Sequence, residues 1–323
     1  QKVHLEKDRP AALKIEYSHR SRMARMHLLW KKPAADSLGR AVEAARKAEA
    51  IVLFLGLSPR LEGEEMNVTV AGFKGGDRLT LDLPSNQEKL LQEVARAAAG
   101  KPVILVLLNG SPVALNQAVE LVPAIVEAWY PGQAAGQAIA DVLFGDYNPA
   151  GRLPVTFYKS ANDLPDFSDY RMMGRTYRYF KKEPLFPFGY GLSYTSFSYS
   201  KLSAPKNLKA GEELTVSVEV KNTGRRDGEE VVEVYLSRPD SSSPVNPLRW
   251  LAAYKRLFLR AGEKQKVTLT IRPQELASYD AAGNRVIEAG RLVVSVGGQQ
   301  PGFTGCLSAP TTSVLTAQTR INH

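Results

Sequence analysis

The sequence is poor in the residues that build disulfide frameworks and metal centres. Among its 323 residues it has one cysteine, Cys306, and four histidines, which are His4, His19, His27 and His323. A single thiol excludes an intrachain disulfide and any all-cysteine metal site. The histidines lack the spacing of metal ligands and lie outside the apparent core segments, so we expect them at the surface. We therefore predict no metal and no cofactor.

Long apolar runs and basic clusters are also missing. The apolar stretches reach about ten residues at most, whereas a transmembrane helix needs roughly 20. The formal net charge is +9, but the 42 basic residues are scattered among 33 acidic ones, and no basic run is interleaved with aromatic residues. We therefore predict neither a membrane partner nor a nucleic-acid partner. A hydrophobic content of 44% allows a large core, and the length favours two domains or three small ones.

The first residues carry neither an initiator methionine nor the apolar region of a signal peptide. Any signal peptide is therefore expected upstream, in a longer protein. Residues 1–35 contain a strand-like piece over 12–17 and an apolar piece ending at Trp30, with no core of their own. We predict that they are the end of a preceding domain and a linker.

From residue 36 onwards, helical patterns alternate with apolar runs. The predicted helices cover residues 37–48, 85–99, 113–121 and 134–144, and the predicted strands cover 51–57, 103–108, 124–128 and 153–157. This alternation indicates an α/β sandwich with a mostly parallel sheet covered on both faces, which we assign to residues 36–195. The polar residues expected to cap the first three helices are Asp36 or Ser37, Ser85 and Ser111.

Beyond residue 196 the pattern changes to short alternating runs. These runs cover residues 214–220, 231–236, 267–271 and 292–296, and turn sequences such as 222–224 (NTG) separate them. A pattern of short alternating strands separated by turns is typical of a β-sandwich of the immunoglobulin or fibronectin III type. We predict this domain over residues 196–305 and a C-terminal tail over 306–323.

Three carboxylates, Glu62, Glu64 and Glu65, crowd the loop that leaves the first strand of the α/β segment. Ligands of open α/β sheets bind at strand carboxyl ends, although composition alone also fits a solvated loop. Other chemistries have less support. No strand is followed by a glycine-rich phosphate loop, and the GxSxG elbow of serine hydrolases is absent. Ser111, after the second strand, is more simply explained as a helix cap.

Several motifs follow the acidic loop in order. They are DR at 77–78, LDLPSNQ at 81–87, GKPVILVLLNGSPVAL at 100–115, EAWYPGQAAGQAIADVLFGDYNPAGRLPVTF at 127–157, GRTYRYF at 174–180, PLFPFGYGLSYTSFSYS at 184–200 and VKNTG at 220–224. Together with GEE at 63–65, they resemble the C-terminal half of glycoside hydrolase family 3, the beta-glucosidase and beta-xylosidase group. The resemblance covers roughly residues 36–305. Residues 1–35 also resemble the exit of the PA14-type insertion of some members.

This resemblance implies a retaining exo-acting beta-glycosidase that removes terminal beta-linked sugars from oligosaccharides or aryl glycosides. In such enzymes a (β/α)8 barrel carries an Asp nucleophile, and the α/β-sandwich domain lends the general acid/base Glu. No eight-fold βα pattern occurs in this sequence, so the nucleophile is expected on an N-terminal barrel of the same precursor. The chain alone is then expected to be inactive. The alternative is a non-catalytic carbohydrate-binding or interaction module with the same architecture.

The resemblance also implies roles for single residues. Glu64 is the implied acid/base because EGEE places it at the catalytic position, and Glu62 is the second candidate. Glu65 stands where the family often has glycine, so the resemblance does not decide the conformation of the turn at this position. Asp77 and Arg78 match the family's DR pair, for which we favour a structural role over substrate contact, with Arg78 steadying the loop.

Two aromatic residues follow the third predicted strand of the α/β domain. The aromatic rings of Trp129 and Tyr130 are compatible with stacking on a sugar. We instead expect them to pack in the core or at an interface, because a buried strand precedes them and Pro131-Gly132 follows. Relatives that act on plant polysaccharide fragments are often periplasmic or secreted, which is the expected localisation. The choice between glucose and xylose and the existence of a homodimer stay open at this stage.

Overall fold

The computed structural model describes residues 14, 36–241, 243, 245–280, 282–303 and 311–323. The prediction for residues 1–35 and the position of Cys306 lie outside these ranges, apart from Lys14. Within them, no helix is long and apolar enough to cross a membrane.

The first part of the described chain is an α/β domain. Its helices are α1 (Ser37–Lys47), α2 (Ser85–Ala98), α3 (Asn116–Leu121), α4 (Ala135–Phe144) and α5 (Thr176–Tyr179). Its strands are β1 (Ile51–Gly56), β2 (Phe73–Lys74), β3 (Asp77–Arg78), β4 (Val103–Leu108) and β5 (Ala124–Glu127). Strands β1, β4 and β5 form a parallel sheet in the order β1-β4-β5, while β2 and β3 form a short antiparallel hairpin.

The core of this domain lies between the sheet and its helices. Leu105 and Leu107 of the central strand β4 are fully buried, and they belong to one apolar cluster with Leu91 and Val94 of α2. Asp36 caps α1, as predicted, by accepting a hydrogen bond from the Gly39 N–H at 2.8 Å. Because β1, β4 and β5 run parallel, their carboxyl ends meet at one edge, and the loops that leave them lie side by side.

Two other predicted caps are wrong. Helix α2 begins at Ser85, but Pro84 occupies the cap position and no side chain caps the helix. Helix α3 begins at Asn116 rather than at residue 113, so Ser111 lies several residues before it. The Ser111 hydroxyl instead donates a hydrogen bond to Glu62, which is 49 residues away along the chain. A long-range carboxylate partner therefore takes the place of the local capping role.

The predicted strand over residues 153–157 is also wrong. Only Phe157 forms a bridge, to Phe186, and Pro154 has no backbone N–H to offer a sheet. The N–H of Leu153 donates to the Tyr190 carbonyl at 2.8 Å, and that of Phe157 donates to the Phe186 carbonyl at 2.9 Å. The apolar segment is therefore held by the 186–190 loop, and it packs into the core without joining the sheet.

The second part of the described chain is a β-sandwich. Its strands are β6 (Phe197–Ser203), β7 (Asn207–Lys209), β8 (Leu214–Asn222), β9 (Gly228–Ser237), β10 (Trp250–Leu259), β11 (Lys264–Ile271), β12 (Ser278–Tyr279), β13 (Arg285–Val286), β14 (Gly290–Gly297) and β15 (Val314–Asn322). The larger sheet has the order β10-β9-β14-β15-β7, the smaller one β11-β8-β6, and β12 pairs with β13. Alternate residues of β8, from Leu214 to Val220, are buried in the core between the two main sheets.

The prediction of a tail over residues 306–323 is corrected by β15. This strand pairs antiparallel with β14 and parallel with β7, where Arg320 lies opposite Asn207. Its sequence, VLTAQTRIN, has few apolar residues, and only Thr319 and Ile321 are buried. Because the alternation of apolar and polar residues is weak, the sequence does not predict this strand, which is specified mainly by pairing with its two neighbouring strands.

A buried ion pair joins the two domains. Arg152 Nη2 lies 3.1 Å from Glu230 Oε1, and the exposed fractions of the two side chains are 6% and 0%. The Tyr199 hydroxyl donates to the same Glu230 oxygen at 3.0 Å, and Arg152 Nε donates to the Gly298 carbonyl at 3.0 Å. Arg152 thereby fixes the α/β domain to the larger sheet of the sandwich, and Tyr199 of the smaller sheet binds the same glutamate.

Candidate functional site

The loops at the carboxyl edge of the parallel sheet border a cleft of about 440 Å³. Its lining residues are Glu62, Gly63, Glu64, Gly76, Asp77, Arg78, Leu81, Ser111 and Pro112. All four residues singled out in the sequence, Glu62, Glu64, Asp77 and Arg78, therefore border one space. The loop after β1, the β2–β3 hairpin and the loop after β4 each contribute to it.

The exit from β1 is fixed by a side chain of α2. Gln87 bonds both backbone groups of Gly56: its Oε1 accepts from the N–H and its Nε2 donates to the carbonyl, each at 2.7 Å. Gly56 has φ +137, and a Cβ there would lie 1.9 Å from the Leu108 carbonyl oxygen. Only glycine therefore fits where the acidic loop begins.

The acidic loop is held by the β2–β3 hairpin. The N–H of Gly63 donates to the Gly76 carbonyl at 3.2 Å, and the N–H of Met66 donates to the Gly75 carbonyl at 2.7 Å. Gly76 has φ +91, and a Cβ on it would meet the Gly63 carbonyl oxygen at 1.6 Å. Glu65 adopts a left-handed backbone with φ 50. Glutamate therefore takes up a backbone conformation that favours glycine, at the position where the resemblance leads us to expect glycine.

Glu62 is bound through both carboxylate oxygens. The Ser111 hydroxyl donates to Oε1, and the Tyr130 hydroxyl donates to Oε2 at 2.9 Å. Arg78 Nη1 in turn donates to Ser111 Oγ at 2.9 Å and to the Pro112 carbonyl at 2.8 Å. Residues of the loops after β4 and β5 therefore hold Glu62 in place. Arg78 of β3 contributes indirectly, because it binds Ser111.

The electrostatics of this cluster follow from partial burial. Burial lowers the pKa of Arg78, and the nearby charge of Glu62 opposes that shift. Burial also raises the pKa of Tyr130 to about 12, with a further contribution from its hydrogen bond to Glu62. The phenol therefore keeps its proton throughout the neutral range and remains a hydrogen-bond donor.

Glu64 has different surroundings from Glu62. Its side chain is exposed at the cleft, and no residue in the described ranges forms a hydrogen bond or ion pair with its carboxylate. Asp77 is also exposed at the cleft, whereas Arg78 is half-buried. The cleft thus combines one fixed carboxylate, Glu62, with one that is free to meet a ligand, Glu64.

Sequence reasoning missed the contribution of Ser111 and Tyr130 to this site. The packing prediction is confirmed for Trp129, whose ring meets the Phe157 ring edge-on, with the two ring centroids 6.1 Å apart. For Tyr130 it leaves out the hydroxyl, which donates to Glu62. The available signal was position, because Ser111 and Tyr130 both follow the carboxyl ends of parallel strands, where the acidic loop also begins.

Comparisons with known proteins give a consistent assignment. Residues 8–194 match the glycosyl hydrolase family 3 C-terminal domain, and residues 230–300 match a fibronectin type III-like domain. The chain is 48% identical over 229 residues to the xylan 1,4-beta-xylosidase of Xylanibacter ruminicola, covering 71% of this chain and 26% of that protein. It is 36% identical over 271 residues to the periplasmic beta-glucosidase of Salmonella typhimurium, covering 80% of this chain and 34% of that protein.

Solved structures agree with these relatives. The beta-D-glucoside glucohydrolase of Trichoderma reesei matches with a TM-score of 0.75 and 30% identity, over 89% of this chain and 42% of that one. A beta-glucosidase of Listeria innocua, in complex with gluconolactone, matches with a TM-score of 0.74 and 28% identity, over 90% of this chain and 39% of that one. The chain spans between 26% and 42% of the length of these four relatives.

Proposed function

Because the chain belongs to glycoside hydrolase family 3, we propose that it supplies the general acid/base of a retaining exo-acting beta-glycosidase. The observation that carries this proposal is the contrast at the cleft. Glu64 is exposed there without a partner in the described structure, whereas Glu62 is tied to Ser111 and Tyr130. A proton donor must reach the substrate, and a carboxylate with both oxygens bound is less free to do so.

The proposed chemistry requires one carboxyl group to act twice. Glu64 protonates the leaving oxygen while a nucleophile forms a glycosyl-enzyme intermediate, and Glu64 then accepts a proton from the water that hydrolyses it. The two carboxyls of a retaining pair lie roughly 5 to 5.5 Å apart. We propose that the nucleophile is an Asp on a (β/α)8 barrel of the same precursor, so that the cleft is completed across a domain interface.

The substrate class follows from the relatives. One is named a xylan beta-xylosidase and another a beta-glucosidase. We propose that the enzyme removes a terminal beta-linked xylose or glucose from an oligosaccharide. Rates on paired aryl xylosides and aryl glucosides decide between the two sugars. A non-catalytic module is not favoured, because these relatives carry the names of glycosidases.

The proposed acid/base is tested by replacing Glu64 in the complete, barrel-containing enzyme. Glu64→Ala is expected to lower kcat/KM by about 10²- to 10⁴-fold, the usual contribution of general acid/base catalysis. With an activated aryl glycoside, added azide is expected to restore turnover, because azide attacks the glycosyl-enzyme without needing a general base. The azide product is the diagnostic measurement.

Two variants accompany Glu64→Ala. Glu120→Gln removes an exposed carboxylate on α3, away from the cleft, and is expected to leave the kinetics unchanged. Glu62→Gln tests the second candidate, and it is expected to lower activity without azide rescue. Azide-rescuable loss in Glu62→Gln, with normal rates in Glu64→Ala, would transfer the acid/base role to Glu62. Normal rates in both variants would refute the catalytic proposal.

We also propose that the protein is periplasmic or secreted. The relative from Salmonella typhimurium, named a periplasmic beta-glucosidase, supports this localisation. Fractionation of the native cells is expected to release the protein with the periplasmic or extracellular fraction. Recovery with a cytoplasmic marker enzyme would contradict the proposal.

A further inference from the structure

Helices α1, α2 and α3 all cover the same face of the parallel sheet. Their buried residues share one apolar cluster with alternate residues of β1 and β4. The side chains of a strand alternate between its two faces, so a single face of the sheet supplies these residues. The members from these elements are Ala45, Leu91, Val94, Ala98, Ala118, Ile51, Leu55, Val103, Leu105 and Leu107.

The opposite face is apolar but open at β1. Val52 and Phe54 point to this face, and they are 40% and 53% exposed. Val106, the residue of β4 that lies opposite Phe54 in the register, is fully buried, so the open area is confined to β1. The sequence of β1, IVLFLG, has no polar alternation, which is typical of a strand covered on both faces. Strand β1 thus has the composition of an interior strand.

The backbone of β1 is also open on one side. In the described ranges, β1 is the outer strand of its sheet, and β4 is its one partner. The Ile51 N–H donates to the Pro102 carbonyl at 2.9 Å, on the β4 side. Because successive peptide groups of a strand point to opposite edges, the N–H groups of Val52 and Phe54 point away from β4. Such an edge is a template for a further strand.

The position of α1 indicates where a preceding strand lies. Lys101, just before β4, fixes the end of α1, because its Nζ donates to the carbonyls of Ala45, Arg46 and Ala48 at 2.8 to 2.9 Å. Crossovers between parallel strands are right-handed, and those through α2 and α3 lead from β1 to β4 and on to β5. A right-handed crossover into β1 through α1, on the same face, starts from the other side of β1.

We propose that a parallel strand from the part of the precursor upstream of α1 pairs with the free edge of β1, and that apolar side chains of that part cover Val52 and Phe54. The α/β domain then contains at least one strand beyond those in the described ranges. This inference concerns how the domain is assembled, and it does not depend on which glutamate is the acid/base.

The length of the relatives supports an occupant from the same precursor. The chain covers 26% of the xylosidase of Xylanibacter ruminicola and 34% of the beta-glucosidase of Salmonella typhimurium. The matching α/β domain is the C-terminal domain of its family, so most of the additional length is expected upstream of α1. A covalently linked segment is present at a high effective concentration, which favours it over a separate protein.

The added strand has a consequence for the cleft. The acidic loop with Glu62 and Glu64 leaves β1, which is the outermost strand in the described ranges. A parallel neighbour places its own carboxyl end beside that of β1, at the same edge of the sheet. The loop that leaves the added strand is therefore expected to form the wall of the cleft next to the acidic loop.

Hydrogen exchange in the complete protein tests the pairing. The amides of Leu53 and Leu55 face β4, and those of Val52 and Phe54 face the free edge. After correction for intrinsic rates, we expect all four amides to exchange within about 100-fold of one another, as in an interior strand. Mass spectrometry with residue-level fragmentation measures the rates. A larger gap, with Val52 and Phe54 the faster pair, would show that β1 remains an edge and would overturn the inference.

Photo-cross-linking identifies the occupant. Benzoylphenylalanine is incorporated in place of Phe54 in the complete, purified protein, and in place of Phe258 as the matched control, since Phe258 is 56% exposed on β10. We expect position 54 to cross-link within one chain to a residue upstream of α1. Cross-links that join two copies into a dimer would assign the edge to a second copy and overturn the inference. The same would follow if position 54 gave no more cross-linking than position 258.

A charge at the covered face gives a third measurement. Phe54→Asp places an unpaired carboxylate against the upstream segment, so we expect the melting temperature of the complete protein to fall by about 5 °C or more. Phe258→Asp is the control, and it is expected to change the melting temperature by less than about 2 °C. Equal small shifts would show that Phe54 faces solvent. If Phe54→Asp does not fold, the exchange rates of the wild type still decide.

Discussion

At the acidic loop, glutamates two positions apart meet different surroundings. Glu62 accepts hydrogen bonds from Ser111 and Tyr130, while Glu64 is exposed at the cleft. The backbone produces this difference, because the Gly63 N–H is tied to the β2–β3 hairpin and Glu65 takes the left-handed conformation. A loop built in this way keeps one carboxylate as an anchor and leaves its neighbour available for chemistry.

Tyr130→Phe tests that anchor. The variant removes one hydrogen bond to a partly exposed carboxylate and is expected to lower the free energy of unfolding by about 1 kcal/mol. Urea unfolding followed by tryptophan fluorescence measures the change. Tyr254→Phe is the matched control, since Tyr254 is 68% exposed on β10, and it is expected to cost almost nothing. Equal effects of the two substitutions would show that the Tyr130 hydroxyl does not stabilise the loop.

Single-residue roles were predictable where the partner is close in sequence. The Asp36 cap is confirmed because its partner, Gly39, is three residues away. The partner of Ser111 is 49 residues away, and that of Tyr130 is 68 residues away. Their contact with Glu62 depends on the parallel pairing of β1, β4 and β5, which local chemistry does not encode.

At the scale of elements, the β2–β3 hairpin is small but sterically demanding. Its two glycines have different environments: a Cβ on Gly76 would meet the Gly63 carbonyl oxygen at 1.6 Å, whereas nothing lies within 4 Å of a Cβ on Gly75. The hairpin therefore requires close backbone contact at one glycine and only a left-handed conformation at the other.

The pair Gly76→Ala and Gly75→Ala separates these two requirements. Gly76→Ala is expected to displace the acidic loop, with a cost of about 3 kcal/mol and a large loss of kcat/KM in the complete enzyme. Gly75→Ala is expected to cost about 1 kcal/mol, because φ +63 is strained but accessible to alanine. Thermal unfolding and steady-state kinetics measure both. Similar values for the two variants would contradict the close contact between hairpin and loop.

Elements with strong apolar patterns were predictable, and those held by tertiary contacts were not. The predicted strand over residues 103–108 coincides with β4, which is buried in the sheet. The segment around Pro154 is also largely apolar, but the N–H groups of Leu153 and Phe157 bond to the 186–190 loop. For β15, the neighbouring strands specify a strand that its own sequence barely indicates.

At the scale of the whole molecule, the change of pattern near residue 196 predicted two folds in succession, but not how they are joined. Arg152 and Glu230 are 78 residues apart in sequence, and they meet with almost no exposure to solvent. The desolvation of such a pair is compensated only when both partners are present. The junction is therefore expected to be sensitive to the loss of either charge.

Arg152→Ala is expected to destabilise the protein by about 3 to 5 kcal/mol, because it leaves Glu230 buried without its counter-ion. The matched control is Arg291→Ala, which breaks a pair with Asp240 whose side chains are 43% and 61% exposed. That substitution is expected to cost less than about 1 kcal/mol. Calorimetry on the complete protein checks both values. A small effect for Arg152→Ala would mean that other contacts between the domains, such as those of Tyr147 with Glu229 and of Asn148 with the Asp227 carbonyl, hold them together.

The position of β15 has a consequence for synthesis on the ribosome. The α/β domain, with its acidic loop, is complete in the nascent chain well before residues 314–322 are translated, whereas the larger sheet of the sandwich still lacks the strand between β14 and β7. Domains generally fold as they emerge, and unpaired strand edges attract other chains. The acidic loop is thus expected to fold early during translation, while the β14 edge stays open to chaperones until β15 clears the exit tunnel.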